Sequence, residues 1–401
     1  MDGSGFTVPD HVPAGLVVDF DYLRDPELAR DPQAAYARLG KGPPVVWTGR
    51  NGGHWISTRY QVISDAFLAH DLFSNFPRMI PNTASLDRPQ PFSDIDPPDN
   101  LKYRRALQLA LSPRALDRFR TQTREIMVAL AAEVQPKGRC DFANEIAMLL
   151  PTTIIMRWLD LPMEDLPLLV SQVDRAIAGT DPEDRKAAKL ETRAYVDRIV
   201  AARREAPGDD FISVLANARI GERDATHEEA RAMTQNLIGG GLDTVRNMMS
   251  FIALFLARNP AHRRQLVEAP DLIPAAIEEL LRYYALPNMG RSVTRDAEFH
   301  GVALRKGDMM LLPLSLAGRD EAIFADAGTI DFRREKNRHL AFGTGAHLCP
   351  GMYLARAELV IFLEEWLQRI PDFSIPADEP PQTRGGNILA VKRLILEWPV
   401  A

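Results

Sequence analysis

Cysteine is scarce in this chain, whose 401 residues include only Cys140 and Cys349. Two cysteines cannot build a disulfide framework, and their scarcity is typical of a reducing compartment. No run of about 20 apolar residues occurs, so no membrane-spanning helix is predicted. The first residues also lack the basic and apolar regions of a signal peptide. We therefore expect a soluble protein of the cytoplasm.

An excess of positive charge is also lacking. The 48 Lys and Arg residues are outnumbered by 54 Asp and Glu residues, which gives a net charge of −6 and a pI near 5.8. Nothing in this balance favours nucleic acid as a partner. No flexible linker, charge block or internal repeat divides the sequence, so residues 1–401 are predicted to form a single domain. Nothing favours an oligomer, and a monomer is expected.

Hydrophobic periodicity predicts a mainly α fold with a minor β region. Apolar residues recur at helical spacing in 99–134, 141–160, 184–206, 226–258, 271–285 and 352–369. Strands are expected at 45–47 and 54–57, as a hairpin, at 291–312 and near the end of the chain. Residues 75–98 are rich in proline and lack periodicity, which predicts a long loop. Long loops in compact domains are usually functional.

The densest motif is FGTGAHLCPG at residues 342–351. Its three glycines permit backbone angles closed to other residues and a close approach to a flat ligand. Cys349 precedes a predicted helix, whose first N–H groups and dipole favour a thiolate. A structural zinc site needs about four ligands, and only His347 and Cys349 are at hand, whereas haem needs one protein ligand. Considered alone, a cysteine beside a turn is more often a packing residue.

A second motif lies in the middle of the longest predicted helix. Thr226 and Glu229 form a capping box that opens this helix. Glycines 239–241 each cost about 1 kcal/mol relative to alanine, which close passage over a planar cofactor would offset. Asp243 and Thr244 follow in an otherwise apolar stretch, and buried polar groups are costly unless they are partnered. The alternative is a kinked packing helix in which the threonine bonds back to a preceding carbonyl.

Together these motifs resemble those of the cytochrome P-450 family. The pattern Phe-Gly-x-Gly-x-His-x-Cys-x-Gly is similar to its haem-binding signature, and Gly-Gly-x-Asp-Thr to its oxygen-activation motif. From about residue 11 to residue 398 the sequence resembles the bacterial class I subfamily of camphor 5-monooxygenase. The resemblance implies the cytochrome P-450 fold. Haem b would lie buried between the long Gly-Asp-Thr helix and the helix after the Cys loop.

The resemblance also implies an activity and its partners. The activity is hydroxylation by a haem-thiolate monooxygenase that uses dioxygen. Electrons would come from a [2Fe–2S] ferredoxin, which is reduced in turn by an NADH-dependent flavoprotein reductase. Two alternatives remain open, a peroxide-driven haem-thiolate peroxygenase and a non-catalytic haem sensor. The pair Asp243 and Thr244 argues against the peroxygenase, because such enzymes lack an acid–alcohol pair.

Roles of individual residues follow from the same resemblance. Cys349 would be the iron ligand, and Asp243 and Thr244 the catalytic residues that relay protons during oxygen activation. The other cofactor-binding positions are Arg104, Gly240, Arg291, Phe342, Gly343, His347 and Gly351. Arg104, Arg291 and His347 would bind the haem propionates, although both arginines could equally be interpreted as surface residues. Glu279 and Arg282 are expected to form a buried ion pair that braces the core.

Departures from the camphor-binding pattern concern the substrate. Arg88 stands where the resemblance places a ketone-binding tyrosine, Gly239 replaces a pocket valine, and Asn236 replaces a leucine. We therefore expect a small apolar substrate longer or wider than camphor, a terpenoid or norisoprenoid of the ionone type. Asn236 would contact its oxygen. The remaining substrate-binding candidates are Met79, Pro287, Asn387 and Ile388.

Further departures concern the cofactor and its electron donor. Met289 replaces an aspartate beside one propionate, and Pro350 lacks an N–H that could donate to the sulfur of Cys349. Leu101 replaces an arginine on the donor face, so the ferredoxin is expected to differ. A basic rim would attract an acidic donor, unless its residues only form a solvated surface. It consists of Arg104, Arg105, Lys336 and Arg338.

Overall fold

The computed structural model describes residues 6–110 and 113–400, and these ranges form a mainly helical fold with small sheets. The helices are α1 (Pro32–Gly40), α2 (Tyr60–Leu68), α3 (Asn100–Ala110), α4 (Pro113–Val134), α5 (Leu149–Trp158), α6 (Leu166–Ala178), α7 (Pro182–Glu205), α8 (Phe211–Ala216), α9 (His227–Arg258), α10 (Pro260–Glu268), α11 (Ile273–Tyr284), α12 (Leu314–Ala317) and α13 (Met352–Arg369). The predicted mainly α fold with a minor β region is confirmed.

The strands in the described ranges are short; five form one mixed sheet and the other eight pair two by two. They are β1 (Val45–Thr48), β2 (His54–Ser57), β3 (Phe73–Ser74), β4 (Arg139–Asp141), β5 (Arg219–Ile220), β6 (Arg223–Asp224), β7 (Asn288–Val293), β8 (Ala297–Phe299), β9 (Val302–Leu304), β10 (Met309–Pro313), β11 (Gln382–Arg384), β12 (Ala390–Arg393) and β13 (Ile395–Glu397). The main sheet has the order β1-β2-β10-β7-β3, in which only β2 and β10 are parallel. The predicted hairpin is β1–β2.

Several predicted helix boundaries were wrong for identifiable reasons. The range 99–134 contains α3 and α4, and residues 111 and 112 between them lie outside the described ranges. The range 141–160 begins with a π-helical turn at Phe142–Ala147 before α5. Helices α1, α2, α6, α8, α10 and α12 were missed. Both α6 and α10 have a proline in their first turn, where the missing N–H is harmless, although proline more often indicates a break in a helix.

Helix α9 runs through both hydrophobic clusters of the molecule. Its first half packs, with residues such as Met233, Ile238 and Leu242, into a cluster shared with α3, α6, α7 and α8. Its second half, from Val245 onward, packs into the larger cluster that includes α11, α13 and the main sheet. At 1.5 Å per residue the helix is about 48 Å long. The Gly-Asp-Thr motif therefore lies where α9 leaves one cluster and enters the other.

The expected ion pair between Glu279 and Arg282 is present and buried. Its side chains are 1% and 0% exposed, and Arg282 Nη2 donates to Glu279 Oε1 at 2.7 Å. Arg282 also donates to the carbonyls of Ala327 and Thr329, each at 2.9 Å. Glu279 accepts in addition from Arg334 Nε at 3.1 Å. The pair thus fastens α11 to the chain that leads to the Cys loop.

None of the helices in the described ranges is both long enough and apolar enough to cross a membrane.

Replacing Arg282 by leucine should destabilise the fold strongly, because Glu279 would keep a buried charge after losing its closest partner. Removing one member of a buried pair costs about 3–5 kcal/mol. Arg295→Leu is the matched control, since Arg295 pairs with Asp71 at 3.0 Å on an exposed surface. It should cost less than about 1 kcal/mol. Urea unfolding measures both variants, and equal losses would contradict the bracing role.

Candidate active site

The chain around Cys349 is a tight loop that brings both ends of the motif together. Gly343 and Gly345 have φ values of +72° and +69°, in the left-handed region that favours glycine. The backbone N–H of Cys349 donates to the carbonyl of Phe342 at 2.9 Å. Helix α13 begins at Met352, so the sulfur lies just before the start of a helix.

Helix α3 fastens this loop from the side. Asn100 Nδ2 donates to the carbonyl of Ala346 at 3.1 Å, and the guanidinium of Arg104 donates to the carbonyl of Leu348. Arg104 also lies 5.8 Å from the centre of the Phe92 ring. Arg104 is therefore not a freely solvated surface residue: it holds the loop residue directly before Cys349.

Burial dominates the electrostatic surroundings of Cys349. It raises the pKa of the thiol, while the N–H of Gly351 and the charges of Arg104 and Arg356 lower it. The groups near the helix start thus favour the thiolate, as the sequence predicted, but desolvation is the larger influence. A coordinated cation deprotonates a thiol outright, so a metal ion is the partner that suits this sulfur.

A group of basic side chains lies beside the Cys loop. Arg291 on β7 is 1% exposed; its Nη1 donates to the carbonyl of Gly290 at 2.8 Å, and its buried Nη2 has no acceptor within the described residues. His347 Nε2 is likewise buried without a partner there. Burial, reinforced by neighbouring positive charge, lowers the pKa of Arg291 to about 9 and that of His347 to about 3. This group offers unused donors to an anion.

Arg78 is a member of this group that the sequence did not suggest. Its carbonyl approaches Gly290 so closely that a Cβ there would lie 2.1 Å from the oxygen. Its positive charge lowers the pKa values of both Arg291 and His347. Its Nε donates to Asp94 at 2.8 Å. No local motif marks Arg78, because it reaches this position through the loop fold.

The glycines of α9 have two distinct functions. A Cβ built at Gly239 or Gly240 would meet nothing within 4 Å, whereas one at Gly241 would lie 2.6 Å from Ile155 Cδ1. Gly241 thus permits tight packing of α9 against α5, while the other two border open space. Thr244 Oγ1 donates to the carbonyl of Gly240 at 2.8 Å. The back-bonding of threonine that belonged to the alternative interpretation does occur, and the glycine that accepts the bond borders open space.

Asp243 is fully buried and belongs to an ion cluster. Its Oδ1 accepts from Arg246 Nη2 at 2.7 Å and from Asn247 Nδ2 at 2.8 Å, while Oδ2 has no partner within the described residues. Arg246 also pairs with Asp174 of α6, and Arg384 lies 3.5 Å from Asp174. The sequence did not reveal this cluster, although Arg246 stands one helical turn after Asp243, where side chains meet.

Four of the substrate-binding candidates meet at one place. Asn387 Nδ2 lies 3.6 Å from the sulfur of Met79, and Pro287 forms a bridge with Ile388. Asn236 lies on α9, where its Nδ2 donates to the carbonyl of Ala232 at 2.8 Å. Gly239 follows it on the same helix and borders the open space.

Arg88 is the candidate that the structure keeps apart from these. It lies exposed on the loop, and its side chain has no hydrogen bond or ion pair within the described residues. Its carbonyl accepts from Gln90 Nε2 at 3.3 Å. Arg88, which stands where the resemblance places a ketone-binding tyrosine, therefore makes its contact through its backbone carbonyl.

The predicted basic rim is exposed in part. Arg105, Lys336 and Arg338 are exposed, and Leu101 is 47% exposed. Arg104 is half-buried, because it is engaged with the Cys loop. Leu101 and Arg105 share α3 with Arg104, which links that helix to the Cys loop.

These residues fit a flat, dianionic metal ligand. The sulfur of Cys349 provides one soft donor, and open space lies beside Gly239 and Gly240 on α9. The unpartnered donors of Arg291 and His347 suit carboxylates, to which arginine binds well. A haem, with one axial thiolate and two propionates, matches all of these features.

Comparison with known proteins gives the same answer. The family model of cytochrome P-450 matches residues 153–396. A probable cytochrome P-450 127A1 of Sinorhizobium fredii is 34% identical, over 98% of this chain and 97% of the relative. A steroid C26-monooxygenase of Mycobacterium tuberculosis is 33% identical, over 88% and 89%. The crystal structure of CYP101J2 is 36% identical, with a TM-score of 0.89 over 98% of this chain and all of the other.

Fold, site and similarity define a haem-thiolate monooxygenase, and the chain belongs to the cytochrome P-450 family. Its cofactor is haem b. The assignment of individual residues to that cofactor remains a proposal, which the geometry described above supports.

Replacing Pro350 by leucine should make the reduction potential of the haem protein more positive. Leucine restores an N–H next to Cys349, and hydrogen bonds around a ligand tune the potential of its metal. Spectroelectrochemical titration measures the shift. An equal or more negative potential in the variant would contradict the role of the missing N–H.

A carbon monoxide difference spectrum of the reduced protein is the control for that comparison. The Pro350→Leu variant should keep the absorption of a thiolate-bound haem, whereas Cys349→Ala should lose it. If Cys349→Ala kept that absorption, the ligand assignment itself would be wrong.

Proposed function

We propose that this enzyme hydroxylates a small apolar terpenoid or norisoprenoid of the ionone type. It would use dioxygen and electrons from a [2Fe–2S] ferredoxin with its NADH-dependent flavoprotein reductase. The observation that carries the substrate proposal is the open space at Gly239, where a Cβ would meet nothing within 4 Å. That space lies one turn before Asp243 and Thr244, so a substrate there would lie beside the proton-relaying pair.

The pocket walls favour a substrate with an apolar body. Met79 is 6% and Ile388 8% exposed, so both present buried apolar surface. Asn236 adds one polar group from α9. Its Oδ1 is free to accept a hydrogen bond, but its Nδ2 donates to the carbonyl of Ala232. To donate to a ketone oxygen, the amide would have to exchange that internal bond for one to the substrate.

Haem ligated by Cys349 supplies the dioxygen-activating chemistry, and the chain supplies binding, orientation and protons. We assign propionate binding to Arg291, His347 and Arg104. Because Arg291 and His347 have buried, unused donors, anionic oxygens there would remove a cost of burial. These contacts would fix the plane of the cofactor against α9.

Proton delivery would use the two polar residues of α9 in sequence. Thr244 Oγ1 donates to the carbonyl of Gly240 at 2.8 Å. This bond directs the hydroxyl along the helix, beside the open space at Gly239 and Gly240. Asp243 is buried, and its Oδ2 is free while its Oδ1 is held by Arg246 and Asn247. The free oxygen can take up a proton from water and pass it on. Positioned acid–base groups of this kind contribute about 10²–10⁴-fold to rate.

The electron donor would dock on the face of the Cys loop. Arg105, Lys336 and Arg338 are exposed there, and complementary charge mainly raises the association rate. Leu101, which is 47% exposed, would contribute an apolar contact. An acidic ferredoxin is therefore the expected donor.

Ionones should convert the haem to the high-spin state more completely than camphor does. Gly239→Val should reverse this preference, because the added side chain occupies space that the native protein leaves open. One or two methyl groups in a pocket change affinity by about 10- to 200-fold. Soret titration measures the preference, and turnover with ferredoxin, reductase and NADH, followed by mass spectrometry, identifies the hydroxylated product.

Stronger high-spin conversion by camphor in the native protein would exclude the ionone proposal. Hydroxylation that proceeds with peroxide but not with ferredoxin would favour the peroxygenase. Absence of any turnover in the presence of a bound ligand would favour the haem sensor.

Thr244→Ala and Asp243→Asn should consume NADH while forming little hydroxylated product. Without the relay, reduced oxygen would leave as peroxide or water, and product formation should fall by about 10²-fold or more. Thr234→Ala is the matched control, because Thr234 makes the same bond to the carbonyl four residues earlier, that of Ala230 at 2.9 Å, in the packed half of α9. The ratio of product to NADH is the measurement. An unchanged ratio in both active-site variants would refute the relay.

A further inference from the structure

Two cations of α7 lie beside the proposed substrate pocket, Arg185 fully buried and Lys189 partly buried. Arg185 is 0% exposed, and Lys189 follows one turn later on the same face. Arg185 donates to the carbonyl of Ile80 at 3.1 Å and to Asn387 Oδ1 at 2.6 Å, and Lys189 Nζ donates to the carbonyl of Ala84 at 2.7 Å. All of these acceptors are neutral. Both charges are thus hydrogen-bonded without being neutralised.

Their neighbours place the two cations at the wall of the pocket. The side chain of Asn387 contacts Arg185 with one atom and the sulfur of Met79 with the other. On the opposite side, Gln235 Nε2 of α9 donates to the carbonyl of Lys189 at 2.8 Å. Gln235 directly precedes the pocket candidate Asn236. The cations therefore lie between the 76–98 loop and α9, where a substrate would extend.

The charges in this region do not balance. Arg78 is a third cation, and Asp94, the carboxylate that acts on Lys189, is already paired with Arg78 at 2.8 Å. Across residues 6–110 and 113–400, neither Arg185 nor Lys189 forms an ion pair with a carboxylate. Buried charge without a counter-charge is costly. Desolvation, with the charges of Arg78 and Arg185, lowers the pKa of Lys189 to about 7.

We infer that the substrate carries a carboxylate at the end remote from the haem, and that Lys189 and Arg185 bind it. This inference rests on the proposed function and narrows its substrate to an acidic terpenoid. Lys189 has three N–H bonds and uses one for Ala84. The remaining two match the two oxygens of a carboxylate better than the three of a phosphate group.

A matched pair of ligands tests this inference. Geranic acid should bind the native holoprotein about tenfold or more tightly than its methyl ester, as expected for a charge-assisted hydrogen bond. The Soret shift reports binding of both. Lys189→Met should abolish the preference for the acid, and Arg185→Gln, which keeps a donor for Ile80 or Asn387, should reduce it.

Lys186→Met is the matched control on the same helix. Lys186 pairs with Asp87 at 2.7 Å near the surface, so its loss should leave the preference intact. Affinity for the acid should also weaken as the pH rises above 7, because Lys189 must be protonated to bind the anion. The groups that act on it are Arg78, Arg185 and Asp94. Affinity for the ester should not change over this range.

Equal binding of acid and ester by the native protein would overturn the inference, as would an acid preference that survives in both variants. Tighter binding of geranyl monophosphate than of the acid would overturn the choice of carboxylate.

Straight-chain ligands separate this inference from the proposed function. If decanoate binds with dependence on Lys189 but no terpenoid binds, the anion site stands and the terpenoid proposal falls. If neutral ionones bind and are hydroxylated while both acids are rejected, the terpenoid proposal stands and the anion site falls.

Discussion

Burial disfavours a negative charge on the sulfur of Cys349, and the groups packed around the sulfur have to offset that effect. Desolvation raises the pKa of the thiol, while the N–H of Gly351 and the guanidinium groups of Arg104 and Arg356 favour the thiolate. These contributions come from the loop, from α3 and from α13. If Cys349 binds the haem iron as proposed, its ionisation is left to the metal. Such a site is shaped for one ligand and would be a poor place for a free reactive thiol.

Buried arginines in this fold differ in a way that separates structural from ligand-binding residues. Arg282 and Arg291 are both almost fully buried. Arg282 has a carboxylate partner and carbonyl acceptors for its other donors, whereas Arg291 retains a buried donor with no acceptor among the described residues. A folded protein tolerates the second arrangement when a ligand completes it. The same reasoning applies to Arg185: its donors have neutral acceptors, but no carboxylate among the described residues neutralises its charge.

Local patterns explain what the sequence could predict. The Cys loop, the capping box of α9 and the pair Glu279–Arg282 each depend on residues within ten positions of one another, and their geometry follows from short-range rules. The positions of Arg185 and Lys189 could not be found in this way. Arg185 contacts Asn387, which is 202 residues away, and no spacing rule connects them.

The net shift in the pKa of Cys349 could not be predicted for a related reason, because desolvation depends on everything that packs around a group. A helix start is visible in the sequence, but the burial that outweighs it is not. The prolines in the first turns of α6 and α10 did not help to predict these helices, because a proline can mark the end of one helix or the start of another. In each case the local effect of a helix start or a proline can be read from the sequence, whereas the net pKa or the helix that forms depends on tertiary packing.

The proline-rich loop is the element that joins the two charged regions of the site. The carbonyl of Arg78 packs on Gly290, next to Arg291, and a few residues later the carbonyls of Ile80 and Ala84 accept from the cations of α7. One short segment thus contacts both the group assigned to the haem propionates and the group assigned to the remote end of the substrate. A ligand can shift a conformation only through contacts that differ between its states. Because the loop supplies neutral acceptors where an anion would compete for the same donors, substrate binding at the proposed remote site would act directly on the segment that packs beside the proposed propionate-binding group.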